Sequence, residues 1–315
     1  MKIVHGFSNK KFSGWKNIVT IGSFDGVHIG HQAIIETLVR LSRENSGKSV
    51  IVTFAPLPKE FFGNDRFKLL MTLDEKIEAF RKSGVDGVCI IPFTKRFSII
   101  EPVDFLQKLW EYFKPFCIVV GYNHHFGRNG EGNFRILKKF SLNKNILLKK
   151  IGEIESLGTV VSSSRIRKLV GQGNILKANK MLGKEYSINA RVSKGRGVGR
   201  TISYPTANLL IDLKKKLMPK DGVYAAKAEI DDKSFGAMLY LGTRPTLSKG
   251  TQLSCEVHIM GFEDDIYGKQ LKVKLLERIR NEKKFSSTQS LKSQIMNDEV
   301  TAKNILANVV TNKGG

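Results

Sequence analysis

Up to about residue 180, short β-rich runs alternate with helix-patterned stretches in regular succession. Strands are predicted over Asn17 to Ile21, Ser49 to Phe54, Gly87 to Ile91, Cys117 to Val120 and Ile146 to Ile151. Helices are predicted between them, over about Gly30 to Ser46, Leu73 to Ser83, Pro102 to Phe113 and Gly132 to Phe140. Strand, helix, strand in this order implies a parallel sheet covered on both faces. In such sheets ligands bind beyond the carboxyl ends of the strands. From Glu185 the pattern changes. Tyr186 to Val192, Val223 to Ile230, Phe235 to Leu241, Leu253 to Ile259 and Leu271 to Ile279 alternate or run apolar between glycine-containing turns. That is the rhythm of an antiparallel barrel or sandwich, and a helix over about Ser290 to Val310 follows it. Arg165 to Leu182 reads as one helix stopped by Gly183, so two domains are expected, 1–183 and 184–315.

Composition narrows the class. Of 315 residues, 41% are hydrophobic and 26% charged, ordinary globular usage. No stretch approaches the roughly 18 consecutive apolar residues of a membrane span, and MKIVHGFSNKKF has no apolar core of a secretory signal. Three scattered cysteines, Cys89, Cys117 and Cys255, fit a reducing cytoplasm. The balance of 52 Lys and Arg against 29 Asp and Glu gives +23 and pI near 9.9. That charge implies either an anionic partner or a Lys-rich solvated surface. The lysines are spread along the whole chain, and the clusters at Lys214, Lys215, Lys216 and at Lys283, Lys284 carry no interleaved aromatics of the kind that stack single-stranded bases. Two glycine motifs mislead. Ser46-Gly47-Lys48-Ser49 follows a helix and precedes a strand, the reverse of a phosphate-binding P-loop, and Gly195, Gly197 and Gly199 run into Arg200 and Pro205 rather than a helix.

The stretch GSFDGVHIGH, 22–31, directly follows the first strand of the alternating region. Its glycines let backbone approach a ligand at a strand-to-helix turn, where free N–H groups and the positive helix end favour phosphate. His28 and His31 add side-chain donors at the first helical turn. A metal pair completed by His5, His124 or His125, and two merely packed histidines, are the rival readings.

The motif resembles the H-x-G-H signature of the nucleotidyltransferase superfamily, and FDGVHIGHQ is similar to the prokaryotic bifunctional riboflavin kinase and FAD synthetase family, whose second activity is FMN adenylyltransferase. VTFAPLPKEFF (52–62), VGYNHHFG (120–127) and VSSSRIRKLV (161–170) support the same family, with Ala55, Leu57, His124 and His125 departing from its usual residues. The resemblance implies a Rossmann-like nucleotidyltransferase domain. It implies ATP phosphate contacts for His28, His31, Ser162, Ser163, Ser164 and Arg167, and nucleotide or flavin contacts for Gly22, Phe24, Gly30 and Asn123.

The segment GRGVGRTISYPTANL, 195–209, reads as a glycine-rich turn entering an extended strand end. In extended chain Thr206 and Asn208 point the same way, and their oxygens suit Mg²⁺. In SCEVHI, 254–259, alternation sets Ser254, Glu256 and His258 opposite the apolar Cys255, Val257 and Ile259. Glu256 is then a candidate general base or a solvated carboxylate. PTAN, DGVYAA (221–226), GTRPT (242–246), CEVHI and the run from Arg280 to Phe285 resemble the riboflavin kinase half. That resemblance implies Mg²⁺ and ATP at Thr206 and Asn208, a flap at Gly195, Gly197 and Gly199, and Glu256 as base.

The expected protein is a cytoplasmic enzyme with riboflavin, FMN and ATP as ligands, FAD as product, Mg²⁺ as cofactor, and neither nucleic acid nor membrane as partner. Two alternatives are a kinase that has lost adenylyl transfer, and a nucleotide-binding domain fused to a basic nucleic-acid-binding barrel.

Overall fold

The structure is a computed structural model. It describes residues 1–7, 12, 14–63, 67–193, 204–211, 215–245 and 251–311. The chain divides into two compact units, Met1–Ser163 and Ser164–Gly315.

In the first unit six parallel strands form one sheet: β1 (Lys2–His5), β2 (Asn17–Ile21), β3 (Lys48–Ala55), β4 (Gly87–Pro92), β5 (Cys117–Val120) and β6 (Leu147–Lys150), in spatial order β1-β4-β3-β2-β5-β6. The helices are α1 (Ile29–Glu44), α2 (Pro58–Gly63), α3 (Leu73–Lys82), α4 (Lys95–Ser98), α5 (Pro102–Phe113) and α6 (Phe134–Asn143). The period-2 alternation along each strand sends neighbouring residues to opposite faces, and both faces are buried. Val19, Val50, Cys89 and Ile118 pack with Phe105 and Leu109 of α5 and Leu137 of α6. Ile18, Ile51, Val88 and Val119 pack with Ile35 and Leu38 of α1 and Phe80 of α3. At about 25 cal/mol per Å², each fully buried Ile, Val, Leu or Phe contributes about 1.5–3 kcal/mol. The buried Asn17 ties the sheet to its flanks, its Nδ2 donating to the carbonyls of Phe12 at 3.0 Å and Phe113 at 2.6 Å.

The chain runs from β2 to β3 and β4 on one side of the sheet, and then to β5 and β6 on the other. The order therefore reverses between β2 and β5, which are hydrogen-bonded neighbours. A crevice at the carboxyl ends of two such strands is where open α/β sheets bind ligands. GSFDGVHIGH leaves β2 and VGYNHHFG leaves β5 at that end. A short antiparallel pair, β7 (Glu155–Ser156) and β8 (Thr159–Val160), closes the unit.

The single helix expected over Arg165 to Leu182 is instead two, α7 (Ser163–Gly171) and α8 (Ile175–Leu182). The break falls at Gly173, whose φ of 79° lies in the left-handed region that helix cannot use. Gly183 does stop α8, as a left-handed C-cap with φ 69° whose N–H bonds the carbonyl of Asn179. Both helices group with the second unit.

That unit is a closed antiparallel barrel of β9 (Tyr186–Ser193), β10 (Ala207–Leu210), β11 (Gly222–Ile230), β12 (Lys233–Pro245), β13 (Thr251–Ile259) and β14 (Gln270–Arg280). Its spatial order is β10-β13-β12-β11-β14-β9. Closure leaves no free sheet edge. The last helix, α9 (Thr288–Thr311), packs on the outer face, where Ala302 meets Ala225, Met238 and Leu276. Among the described residues no helix is long and apolar enough to cross a membrane.

Candidate active sites

At the end of β2 the chain makes a tight descent into α1. Phe24, Gly26 and Val27 take φ of 50°, 86° and 41°. Positive φ at a β-branched residue is strain of about 1–3 kcal/mol, which the surroundings must hold in place. Packing does part of this. Val27 is buried, and the buried Phe24 ring meets Phe80 and His31 edge-on at 5.7 and 5.2 Å. The ring of Phe24 is thus committed to the core.

His28 is the N-cap of α1, its Nδ1 accepting the backbone N–H of His31 at 3.3 Å. In a neutral imidazole that contact leaves the proton on Nε2, which makes Nε2 the donor nitrogen. The two imidazoles stack, centroids 3.6 Å apart and planes 17° from parallel. A Cβ at Gly30 would press on the His28 ring at 3.3 Å. Face-to-face rings do not converge on one point, so the geometry favours two parallel donors at a positive helix end over a metal pair. Among the described residues no three His, Cys, Asp or Glu side chains are grouped to hold a metal ion.

Below the loop lies a layer that sequence reading missed. The buried Asp25 carboxylate accepts the amides of Leu70 at 3.0 and 3.2 Å and Met71 at 3.1 Å. The buried Lys76 of α3 donates to the carbonyl of Ser23 at 3.1 Å and to Thr53 Oγ1 at 3.3 Å. Ser163, at the start of α7, donates from Oγ to the carbonyl of Asp25 at 2.9 Å, which sets this serine against the same loop. Ser162 is half-buried and Ser164 exposed, while Arg167 lies half-buried on α7 in the second unit.

Beside Gly22 and Ser23 opens a cavity of about 780 Å³. Its walls are aromatic, with Phe54, Phe62, Phe93, Phe97 and Phe126, and His124 and His125 close one side. Burial holds His124 neutral, its pKa pushed down to about 4 with His125 adding to the shift. Asn123 is exposed in the loop after β5 and stands outside this lining. The size suits a ligand with one large flat ring system.

In the barrel, register assembles the second constellation. Asn208 pairs with Glu256, and Glu256 with Tyr240 on its other side. Residues directly opposite share a face. Thr206 Oγ1 donates to Glu256 Oε2 at 3.1 Å and Ser254 Oγ donates to Oε1 at 2.9 Å, so a hydroxyl meets each carboxylate oxygen. Cys255, Val257 and Ile259 are buried, as their alternation requires. His258 Nδ1 lies 2.9 Å from the carbonyl of Pro205; a carbonyl only accepts, so Nδ1 carries the proton. Two cavities meet at Thr206. One of about 290 Å³ is lined by Thr206, Tyr240, Glu256, His258, Arg280 and α9; the other, of about 300 Å³, by Thr206, Ala207, Phe262, Asp265 and Tyr267. Arg280 makes a fork on the buried Asp298 of α9, Nε to Oδ2 at 2.9 Å and Nη2 to Oδ2 at 2.8 Å. The expected flap residues Gly195, Gly197 and Gly199 lie outside the described residues.

A family model for FAD synthetase matches residues 13–165 and one for riboflavin kinase matches residues 182–306. The bifunctional riboflavin kinase/FMN adenylyltransferase of Escherichia coli (strain K12) is 33% identical over 307 residues, covering 96% of this chain and 97% of its own. The protein of the same name from Listeria monocytogenes is 30% identical over 297 residues, 94% of each chain. A crystal structure described as a macrolide-efflux protein from Streptococcus pneumoniae superposes with TM-score 0.88 at 29% identity, covering 96% of this chain and 99% of that one. The chain belongs to the bifunctional riboflavin kinase/FMN adenylyltransferase family.

Proposed function

We propose that the protein phosphorylates riboflavin with ATP to FMN in the barrel, and transfers AMP from a second ATP to FMN at the carboxyl end of the parallel sheet, releasing pyrophosphate and FAD. The observation that carries this reading is the match of two different family models to the two halves of the chain. The division of labour follows 1–183 and 184–315.

In the sheet unit, the FMN phosphate is already a competent nucleophile, so catalysis is positioning and charge stabilisation. The aromatic cavity takes the isoalloxazine. The backbone at Gly22, Phe24 and Gly30, with Ser162, Ser163 and Ser164, binds the nucleotide, and Asn123 contacts nucleotide or flavin. His28 and His31 donate to phosphoryl oxygens and stabilise departing pyrophosphate, with Arg167 as a cationic partner.

In the barrel, Glu256 takes the proton of the attacking ribityl hydroxyl. The cavity beside Tyr240 and Arg280 holds the flavin, and the one beside Phe262 the nucleotide, so hydroxyl and γ-phosphate meet at Thr206. The hard oxygens of Thr206 and Asn208 fit Mg²⁺, which keeps waters and substrate phosphates as its other ligands. The Thr206 hydroxyl gives its hydrogen to Glu256, which leaves its lone pairs for the ion. When bound, Mg²⁺ neutralises phosphate charge. Gly195, Gly197 and Gly199 complete the nucleotide cover.

Buried thiols suit a reducing cytoplasm, Cys89 and Cys117 being pushed up by burial to about 12 and about 11. No nucleic-acid or membrane partner is assigned. Incubating the full chain with riboflavin and Mg-ATP tests the reading. FMN and FAD together support it, FMN alone supports a kinase that has lost adenylyl transfer, and neither product supports a nucleic-acid-binding barrel.

A further inference from the structure

The 22–28 loop and α3 are strapped together in both directions. Asp25 reaches from the loop to the amides of Leu70 and Met71, the segment that leads into α3. Lys76 reaches from α3 back to the loop, donating to the Ser23 carbonyl, and Thr53 Oγ1 in turn donates to that same carbonyl at 3.4 Å. The start of α3 is independently secured by a capping box, Thr72 Oγ1 accepting Glu75 N–H and Glu75 Oε2 accepting Thr72 N–H. The helix therefore does not need Lys76 to begin where it does. A side chain 2% exposed that carries an ammonium costs several kcal/mol to desolvate, and a buried amide could have bridged two oxygens at lower cost. What a cation adds is a fixed positive charge one residue from the strained Phe24, directly under the backbone that leads to His28.

We propose that Lys76 is a positioning residue for adenylyl transfer: its ammonium holds the Ser23 carbonyl inward, so that the loop's N–H groups and the His28–His31 pair face the nucleotide phosphates. This rests on the adenylyl-transfer reading of the sheet unit. The charge lies beneath the loop, so Lys76 acts through the loop backbone at Ser23, at the edge of the aromatic cavity, and its effect falls on kcat more than on flavin affinity.

The test uses the full chain and follows FAD formation from FMN and Mg-ATP, with FMN formation from riboflavin in the same preparation. Lys76→Met keeps an unbranched side chain one atom shorter and removes the charge, and Thr53→Val removes one of its acceptors with little change of shape. Lys76→Met is expected to lower kcat for FAD formation by about 10²-fold, as loss of geometry does, with KM for FMN changed by much less and the kinase rate unchanged. Thr53→Val moves kcat in the same direction by less. A kcat for Lys76→Met within about twofold of wild type, or a loss that appears in KM for FMN instead, overturns the proposal. If Lys76→Met does not fold, an unchanged kcat in Thr53→Val overturns it and a lowered one supports it. His28→Ala with His31→Ala separates the two levels. If that double variant forms FAD at the wild-type rate, the placing of adenylyl transfer at the His28–His31 loop is wrong. If it does not, while Lys76→Met does, only the role of Lys76 is lost.

Discussion

The hydroxyl of Thr206, just before β10, donates to Oε2 of Glu256 on β13 at 3.1 Å, across 50 residues of sequence. The bond joins the proposed metal-binding segment to the proposed base. It fixes which way the hydroxyl hydrogen points and so which way its lone pairs point. With Ser254 on the other carboxylate oxygen, Glu256 is held in one rotamer before substrate arrives.

Thr206→Val keeps the shape and removes both the hydrogen bond and the oxygen ligand. FMN formation should fall by about 10²-fold or more, and the Mg²⁺ concentration for half-maximal rate should rise. Ser254→Ala leaves the metal ligand intact, and so should lower kcat with an unchanged Mg²⁺ requirement. Steady-state rates over a magnesium titration distinguish the two.

The stacked imidazoles predict coupling. Removing His28 takes away both a donor and the flat support of His31, and removing His31 takes away the face on which His28 rests. His28→Ala and His31→Ala should each nearly abolish FAD formation while FMN formation continues. The double variant should be much less impaired than the product of the single effects.

The alkaline pH profile reports Lys76. Burial pushes its pKa down to about 8 against the opposing pull of the facing carboxylates Asp25 and Glu60. FAD formation should therefore decline as pH rises through about 8, while the ammonium loses its proton. Stability takes the opposite sign. The unfolded chain keeps this proton up to about 10.5 and the folded chain releases it near 8, so rising pH between those values favours the fold. Measured from pH 7 to 9.5, kcat should fall while Tm gains relative to Lys76→Met. A Tm that drops relative to that variant across the window contradicts the assignment.

The Arg280–Asp298 fork anchors α9 to the barrel, with Asp298 side-chain exposure only 4% and Gln294 donating a further bond to Oδ1 at 3.0 Å. Asp298→Asn strands a guanidinium that is largely buried, a loss of about 3–5 kcal/mol for a broken buried pair. Denaturant unfolding of the barrel should show it. Replacing both residues together with Met and Leu should recover most of the stability, because no unpaired charge then remains.

The parallel half was legible because hydrophobic period changes from 2 to 3.6 at each element, and the ends of α5 and β5 fall where the pattern puts them. Elements that carry little pattern escaped. β1 has one buried residue in four, and the short α2 and α4 have none. The α7–α8 break escaped because a lone glycine in a helical pattern is tolerated often enough to be read through. His28, His31, Thr206 and Glu256 were visible as motifs. Lys76 was not, since a lysine in an amphipathic helix reads as solvated, and the sequence holds no signal of the carbonyl waiting beneath the loop. The aromatic cavity was equally hidden, because Phe54, Phe93 and Phe126 meet only through the strand order. The pairing of Asn208 and Tyr240 with Glu256 needs β-register, which no local pattern encodes.

The central claim is that two separate sites in one chain make FMN and FAD, and Glu256→Gln tests it most directly. The variant is supplied once with riboflavin and once with FMN, each with Mg-ATP, and both products are quantified. The account predicts FMN formation lowered by at least about 10²-fold, the share of a general base, and FAD formed from supplied FMN at the wild-type rate. Loss of both activities in a folded Glu256→Gln chain, or FMN formation at the wild-type rate, would contradict it.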